Sequence, residues 1–466
     1  YIGRQLNAPA STVQLTADGA ITAGKPVIIK ADGDVTLVGT AAADPPTKGS
    51  AVEFNTGTTE YIQAVYDSSA QKIVIAYRDG GNSNYGTAIV GTVSDTSISF
   101  GSETVFHSGT TPNITLAYDT NAGKVVIGYR NSSNQAAAIV GTVSGTSISF
   151  GSSSVYDTNG LTQNAAIYDA NAQKTVLAYK DGSDNYGRAR VATVSGTSIS
   201  FGTEVTFESA SINHLSGAYD ANAQKVVLTY QDVDNSSYGT AIVGTVSGTD
   251  ITFGTAAVFE SADSRQTSAT YDSDSQKIVI AYKDAGNSSY GTAVVGTVSG
   301  TSISFGTPAV FEDDGSVDLS LTSASYDPTI QRVAVAYKRG ASGRLIYGTV
   351  SGTSISFGTF FEFDTAVANN YTASNYHTNA KRTVVTFQSD STARGNAVVI
   401  NGNGTSLTTE NFIGFAENDC TDNGLATIQL GGSVNDKQTG LTAGQTYFVQ
   451  GDGTIGLTAD SPSVTA

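Results

Sequence analysis

The chain is poor in the side chains that carry most redox and metal chemistry. Among 466 residues there are one cysteine, three histidines, no tryptophan and no methionine. A lone thiol, Cys420, excludes an intramolecular disulfide framework and any zinc site built on several cysteines. Its surroundings, Asn418-Asp419 before it and Thr421-Asp422 after it, hold no second thiol or imidazole, so it reads as a packing or surface thiol. With no methionine, residue 1 is not an initiator; the chain reads as processed or as beginning after its start, and no signal peptide is visible.

Charge is scarce as well, at 14% of residues, and what there is leans acidic: 24 Lys and Arg against 41 Asp and Glu, a net charge of −17. That balance argues against a nucleic-acid partner, whose phosphates must be neutralised by cations. No apolar run approaches the ~20 residues of a membrane-spanning helix. What is abundant is glycine (51 residues), with Ser, Thr, Asn, Val and Ile. Such a composition belongs to an all-β chain with many tight turns.

The dominant pattern is a repeat. Tyr-Asp pairs begin at Tyr66, Tyr118, Tyr168, Tyr219, Tyr271 and Tyr326, and a seventh, at Tyr376, has His377 for the aspartate. Each pair is followed by Lys or Arg and an apolar run. A period of about 50 residues made only of strand-like segments is the mark of a propeller blade. In the first repeat, Tyr61–Tyr66 reads as a strand and Asp67–Lys72 as a hairpin opened by an Asx turn. Ile73–Tyr77 reads as a fully buried strand, Asp79–Tyr85 as a polar loop, Gly86–Val93 as a third strand, and Ser97–Phe100 as the start of a fourth. The turn before the fourth strand has Asp95 where later repeats have Gly145, Gly196, Gly248, Gly300 and Gly352, which predicts positive φ there. Each fourth strand carries Phe-Gly, from Phe100-Gly101 to Phe357-Gly358, read as inter-blade packing followed by a bulge or bend.

Seven four-stranded units predict a seven-bladed β-propeller. Lys48–Phe54 matches the second half of a fourth strand, and Gly404–Leu407 matches the missing first half. The last blade is therefore expected to close with segments from both ends, removing free sheet edges. The flanks would then emerge side by side and fold together. Residues 1–46 and 412–466 are read as two halves of one small β mounting domain, with the propeller at 47–411 inserted into it.

The segment Ala281–Thr307, with its Gly-Asn-Ser-Ser-Tyr-Gly-Thr-Ala-Val-Val-Gly-Thr-Val-Ser-Gly-Thr-Ser-Ile-Ser-Phe-Gly-Thr, resembles repeats in virion structural and fibre-like proteins of aquatic tailed phages. The likeness spans roughly residues 55–410. The flanks, through Ile21–Gly33 and Phe412–Ala416, resemble small β-modules of phage head-decoration and fibre proteins. The resemblance implies a non-enzymatic component of a virion surface, exposed to the medium, partnered by other capsid or tail proteins and homo-oligomeric. It implies no catalytic residue.

A ligand would meet the rim where the loop between the second and third strands lies beside the crossover between blades. The loops offer Asp79, Asn82 and Tyr85; Asp181, Asp184 and Tyr186; Asp232, Asp234 and Tyr238; and Asp284, Asn287 and Tyr290. Planar hydrogen-bonding groups beside aromatic rings suit host-surface or environmental glycans. The plainer role for the same residues is turn formation and strand anchoring, which recurrence favours. Symmetry breaks at Glu312-Asp313-Asp314 and at Arg339–Arg344, making Glu312, Asp313, Asp314, Arg339 and Arg344 the site most expected to be specific. No cofactor is expected, although the Asp-rich loops offer oxygen ligands to Ca²⁺. A receptor-binding tail-fibre adhesin is one alternative. A polysaccharide-degrading enzyme is another, since propellers host glycosidases that work with a carboxylate pair, but no triad, HExxH, phosphate loop or GxSxG is present. Six Asn-x-Ser/Thr sequons, at Asn113, Asn131, Asn235, Asn287, Asn370 and Asn403, would be surface acceptors in a source that glycosylates its proteins; in a phage or bacterial setting they read as coincidence in a Ser/Thr/Asn-rich chain.

Overall fold

The computed structural model describes residues 46–402 except 315–318 and 390. Of the flanks it describes 12–17, 20–29, 33–37, 412–421, 424–430, 447–449, 455–456 and 464–465. The chain divides into two compact units, Thr47–Gly402 and a second made of Tyr1–Pro46 with Asn403–Ala466. In that second unit both flanks contribute to one antiparallel sheet, in the order Thr12–Thr16, Leu425–Gln429, Phe412–Ala416, Pro26–Ile29, Val35–Leu37. Val27, Val35, Ala416, Ala426 and Ile428 form its fully buried centre. The sequence-based boundary at 411 lies outside the described residues.

Thr47–Gly402 forms seven antiparallel four-stranded sheets among the described residues. In the fifth, Ala257–Asp272 ends as the innermost strand, Lys277–Asp284 follows, then Tyr290–Ser299, and the outer position is shared by Ser302–Phe305 and Ala309–Glu312. The second strands are buried nearly end to end, because their two faces pack on the blades before and after.

The Tyr-Asp signature makes two ties at once. Asp67 accepts the amides of Ser69 and Ala70 at 3.0 and 2.9 Å, shaping its own hairpin. The tyrosine reaches back to the hairpin of the preceding blade: the Tyr118 hydroxyl donates to Ser69 Oγ at 2.7 Å, and the Tyr168 hydroxyl accepts the Asn121 amide at 3.1 Å. In the seventh blade, His377 Nδ1 accepts the Ala380 amide at 3.0 Å, so an imidazole does the carboxylate's work. The ring of Tyr66 rests on His377 with centroids 4.5 Å apart, carrying the series from the last blade to the first.

The turn expectation holds: Asp95 has φ 52° and its glycine counterparts lie between 61° and 63°. The Phe-Gly reading holds: between the pairs Gly91↔Phe100 and Ala88↔Thr104 the outer strand takes up one extra residue, the bulge expected at Gly101. Phe100 packs across the blade boundary on Phe54, 5.8 Å away, as expected. The glycine after it is also required by space. A Cβ on Gly101 would stand 1.9 Å from the carbonyl oxygen of Thr146 in the next blade.

Ring closure follows the expectation on its N-terminal side. Thr47–Lys48 pairs with Asn401 and Ile400, and Val52–Asn55 continues along the same third strand, so the segment Lys48–Phe54 takes the outer position expected of it. Gly404–Leu407 lies outside the described residues. Phe54, Ile73 and Ile75 share one buried cluster with Val384 and Val399, joining the last blade to the first.

Candidate ligand-binding face

The second strand of each blade ends in a buried aromatic ring that sets the height of the loops. Tyr77, Tyr129, Tyr179, Tyr230, Tyr282 and Tyr337 are fully buried, with Phe387 in the seventh blade. Each packs on the outer-strand aromatic of the preceding blade, as Tyr282 does on Phe259 at 5.2 Å. The third-strand glycine lets that outer ring in: a Cβ on Gly291 would lie 2.4 Å from Phe311. Above this layer, loops and crossovers bond to one another. The Gly80 amide donates to the Thr58 carbonyl at 2.7 Å, Val233 to Ser211 at 2.9 Å, and Ala285 to Asp263 at 2.8 Å. The two sets of loops named from the sequence therefore do share one face.

The predicted loop acids serve largely as turn formers. Asp79 is buried and accepts the amides of Gly81 and Asn82 at 2.9 and 3.2 Å and the side-chain amide of Asn55 at 3.2 Å. Asp181 accepts Ser183 N at 2.7 Å, Asp232 accepts Asn235 N at 3.2 Å, and Asp284 accepts Asn287 N at 3.0 Å. Asp184 accepts the Tyr186 amide at 2.9 Å, and Asp234 reaches over to the Ser211 amide at 3.2 Å. Asn82 and Asn287 stand exposed at the loop tips, while Tyr85, Tyr186, Tyr238 and Tyr290 are half-buried at the start of the third strands.

The symmetry-breaking residues do converge. Glu312 receives Arg339, Arg344 at 2.7 Å and the Tyr337 hydroxyl at 3.1 Å. Arg339 also pairs with Asp314, and the Arg344 guanidinium lies 3.9 Å over the ring of Phe360. Asp313 is exposed beside them. Burial opposes ionisation of Glu312, but the two arginines outweigh it and hold its carboxyl below the usual glutamate range. This cluster is internally compensated, so its charges hold the blade boundary first.

A second cluster was not singled out from sequence. In the third blade Arg188 joins Asp181 (3.0 Å), Asp184 (2.5 Å) and Glu204 (2.5 Å). The Tyr179 hydroxyl lies 2.8 Å from Asp157 and 2.5 Å from Glu204. Burial raises the Asp157 carboxyl; Glu204, also penalised by burial, is brought down by its bonds to Tyr179 and Arg188. The signal was available as an alignment column. The residue after the third-strand glycine runs Thr87, Ala137, Arg188, Thr240, Thr292, Arg344, Asn396, and only two blades place a cation there. Among the described residues no group of three or more His, Cys, Asp or Glu side chains converges on a point where a metal could sit.

No protein-family model matches the chain, and no curated protein sequence matches it. Solved structures do resemble it. The BP39L lectin from Burkholderia pseudomallei aligns with a TM-score of 0.58 over 75% of this chain and 98% of its own, at 10% identity. The β-propeller domain of Cps50 (Swd1) from Myceliophteria thermophila aligns with a TM-score of 0.51 over 76% and 99%, at 9% identity. An Aleuria aurantia lectin in complex with Fucα1-6GlcNAc aligns over 65% and 95%, at 14% identity and a TM-score of 0.44. At such identities the first two likenesses speak for architecture alone, and together with the seven paired sheets they make Thr47–Gly402 a β-propeller.

Proposed function

We propose that this protein is a non-catalytic, glycan-contacting propeller displayed on the surface of a virion by its small β-unit. The observation that carries the binding half is the division of labour on the loop face. The carboxylates at the loop bases hold the loops in shape, which leaves exposed amides and hydroxyls at the tips and half-buried tyrosines below them, on a rigid frame. Such a frame suits pre-organised recognition of hydroxyl-rich ligands. Likeness in architecture to a bacterial lectin supports the same direction. In the third and sixth blades the carboxylates that meet across the boundary are bonded to arginine and tyrosine, which leaves no free acid and base pair at those two boundaries. The virion half rests on the resemblance of Ala281–Thr307 and of the flanks to phage structural repeats.

A glycan array probed with the full chain tests the binding half: retention of defined sugars is expected, and silence across the array and on intact host cells overturns it. Immunogold labelling of the native particle tests the display half, with label expected on capsid or tail and its absence counting against it.

A further inference from the structure

At each blade boundary four positions face one another. One is the residue after the outer-strand aromatic of the preceding blade; the others are the second-strand tyrosine, the residue two after it, and the third-strand residue opposite the tyrosine in register. In the sixth blade these are Glu312, Tyr337, Arg339 and Arg344, and both guanidiniums sit on Glu312. In the third they are Asp157, Tyr179, Asp181 and Arg188, and the guanidinium sits on Asp181. In the fourth and fifth blades the acids persist without the cation: Glu208 with Asp232, and Glu260 with Asp284. The arginine position there holds Thr240 and Thr292.

Buried hydroxyls without partners line these two boundaries, as Thr87 does in the first blade, where Asn55 and not an acid meets Asp79. Thr240 and Thr292 are 3% and 2% exposed, and the Oγ1 of each has no hydrogen-bond partner. Both lie opposite the buried tyrosine, on the sheet face that carries Asp232 or Asp284. In the fifth blade Ser264, fully buried, pairs in register with Asp284, and its Oγ is also without a partner. Its Oγ stands 2.9 Å from where a Cβ of Gly239 would be, and Gly239 is the residue that faces Glu260 across the strand pair. Burial, reinforced by the charge of Glu260, raises the Asp284 carboxyl, as expected of an acid whose counter-ion is absent.

We propose that these two boundaries each accept one primary ammonium group between the paired carboxylates, at the place where the third and sixth blades seat their own guanidinium. Two carboxylates and a few hydroxyls suit a compact monocation, and are fewer than the six to eight oxygens that Ca²⁺ takes. Resting on the reading of this face as glycan-contacting, the ligand is an amino sugar whose amine is free.

The test is isothermal titration of the full chain at pH 6 with glucosamine oligomers and with their N-acetylated counterparts. The free-amine oligomers are expected to bind at least about tenfold more tightly, the equivalent of one charge-assisted hydrogen bond. In Thr240→Arg/Thr292→Arg the chain supplies its own cation, so that preference is expected to vanish with the melting temperature kept or raised. Glu208→Gln/Glu260→Gln, which retains the acceptor for the tyrosine hydroxyl, is expected to lose it too. Equal binding of the two oligomers overturns the ammonium site and leaves the glycan reading standing. A preference that survives in both variants overturns its placement. Silence toward both oligomers overturns the proposal, and a positive array with other sugars would then still uphold the glycan reading.

Discussion

Replacing Gly151 by alanine offers a direct measure of how closely the blades approach. Its Cβ would stand 1.9 Å from the carbonyl oxygen of Thr197 in the next blade. Carbon and oxygen atoms settle at about 3.3 Å, so the two backbones must part by roughly 1.4 Å. The obstructing atom is main chain, held in a turn, and cannot rotate away as a side chain would. Overpacking typically costs about 1–3 kcal/mol, and the absence of any soft neighbour places Gly151→Ala at or above the upper end. Gly196→Ala supplies the internal comparison. That glycine has φ 61° with nothing within 4 Å of its Cβ position, so alanine there meets only left-handed strain of about 1 kcal/mol. Chemical denaturation of the full-length proteins, followed by far-ultraviolet circular dichroism, should rank Gly151→Ala well below Gly196→Ala. Gly202→Ala should match it, since its Cβ would lie 1.8 Å from Thr249 O. Equal midpoints for Gly151→Ala and Gly196→Ala would refute the close-contact argument.

Three further outcomes are expected. Burial and the charge of Arg265 depress His214 from 6.5 to about 4, so the folded state binds its proton later than the unfolded state does. Stability is then complete above pH 6.5 and falls as pH drops toward 4, by up to about 3 kcal/mol; His214→Gln should flatten that slope, and an unchanged slope would discard the assignment. Arg339→Ala takes one of two guanidiniums from Glu312, which keeps Arg344 and the Tyr337 hydroxyl, so the loss in thermal unfolding should fall below the about 3–5 kcal/mol of a buried charge left alone. Glu312→Gln in the same background should recover part of it, and no recovery would separate the loss from charge. Phe54→Ala removes the ring that packs on both Tyr77 and Phe100, so a loss of about 3–5 kcal/mol by calorimetry is expected, and a loss under 1 kcal/mol would show that the N-terminal strand does not close the ring.

What could be read in the sequence was whatever a residue does for its own few neighbours. Asp67 shapes a turn two and three residues on, and Asp95 sits at positive φ in a hairpin, so both announce themselves locally. Repetition then multiplied a weak signal into an architecture. The Phe-Gly glycines announced only half of their reason, because the atom that forbids a side chain at Gly151 belongs to Thr197. The loop acids were harder still. Asp79 as a turn former and Asp79 as a ligand contact have the same sequence, and only the amides that donate to it reveal the first role. The break in symmetry does mark residues that meet, Glu312 with Arg339 and Arg344, yet the sequence does not reveal that they neutralise one another. Arg188 is less legible: Asp181 and Asp184 stand beside it in one loop and read as turn formers, while Glu204 reaches it from the crossover to the next blade.

The outer strand of the seventh blade is made before any of the blades it completes. A ribosome delivers Thr47–Asn55 first and Gly395–Asn401, its partner, only after some 340 further residues have appeared. For that whole interval the early segment is a latch without a catch, and the stack of finished blades grows with one flank of Ile73 and Ile75 uncovered. Closing the ring is therefore a meeting of early and late chain, and a premature stop upstream of residue 395 leaves the early segment without its partner.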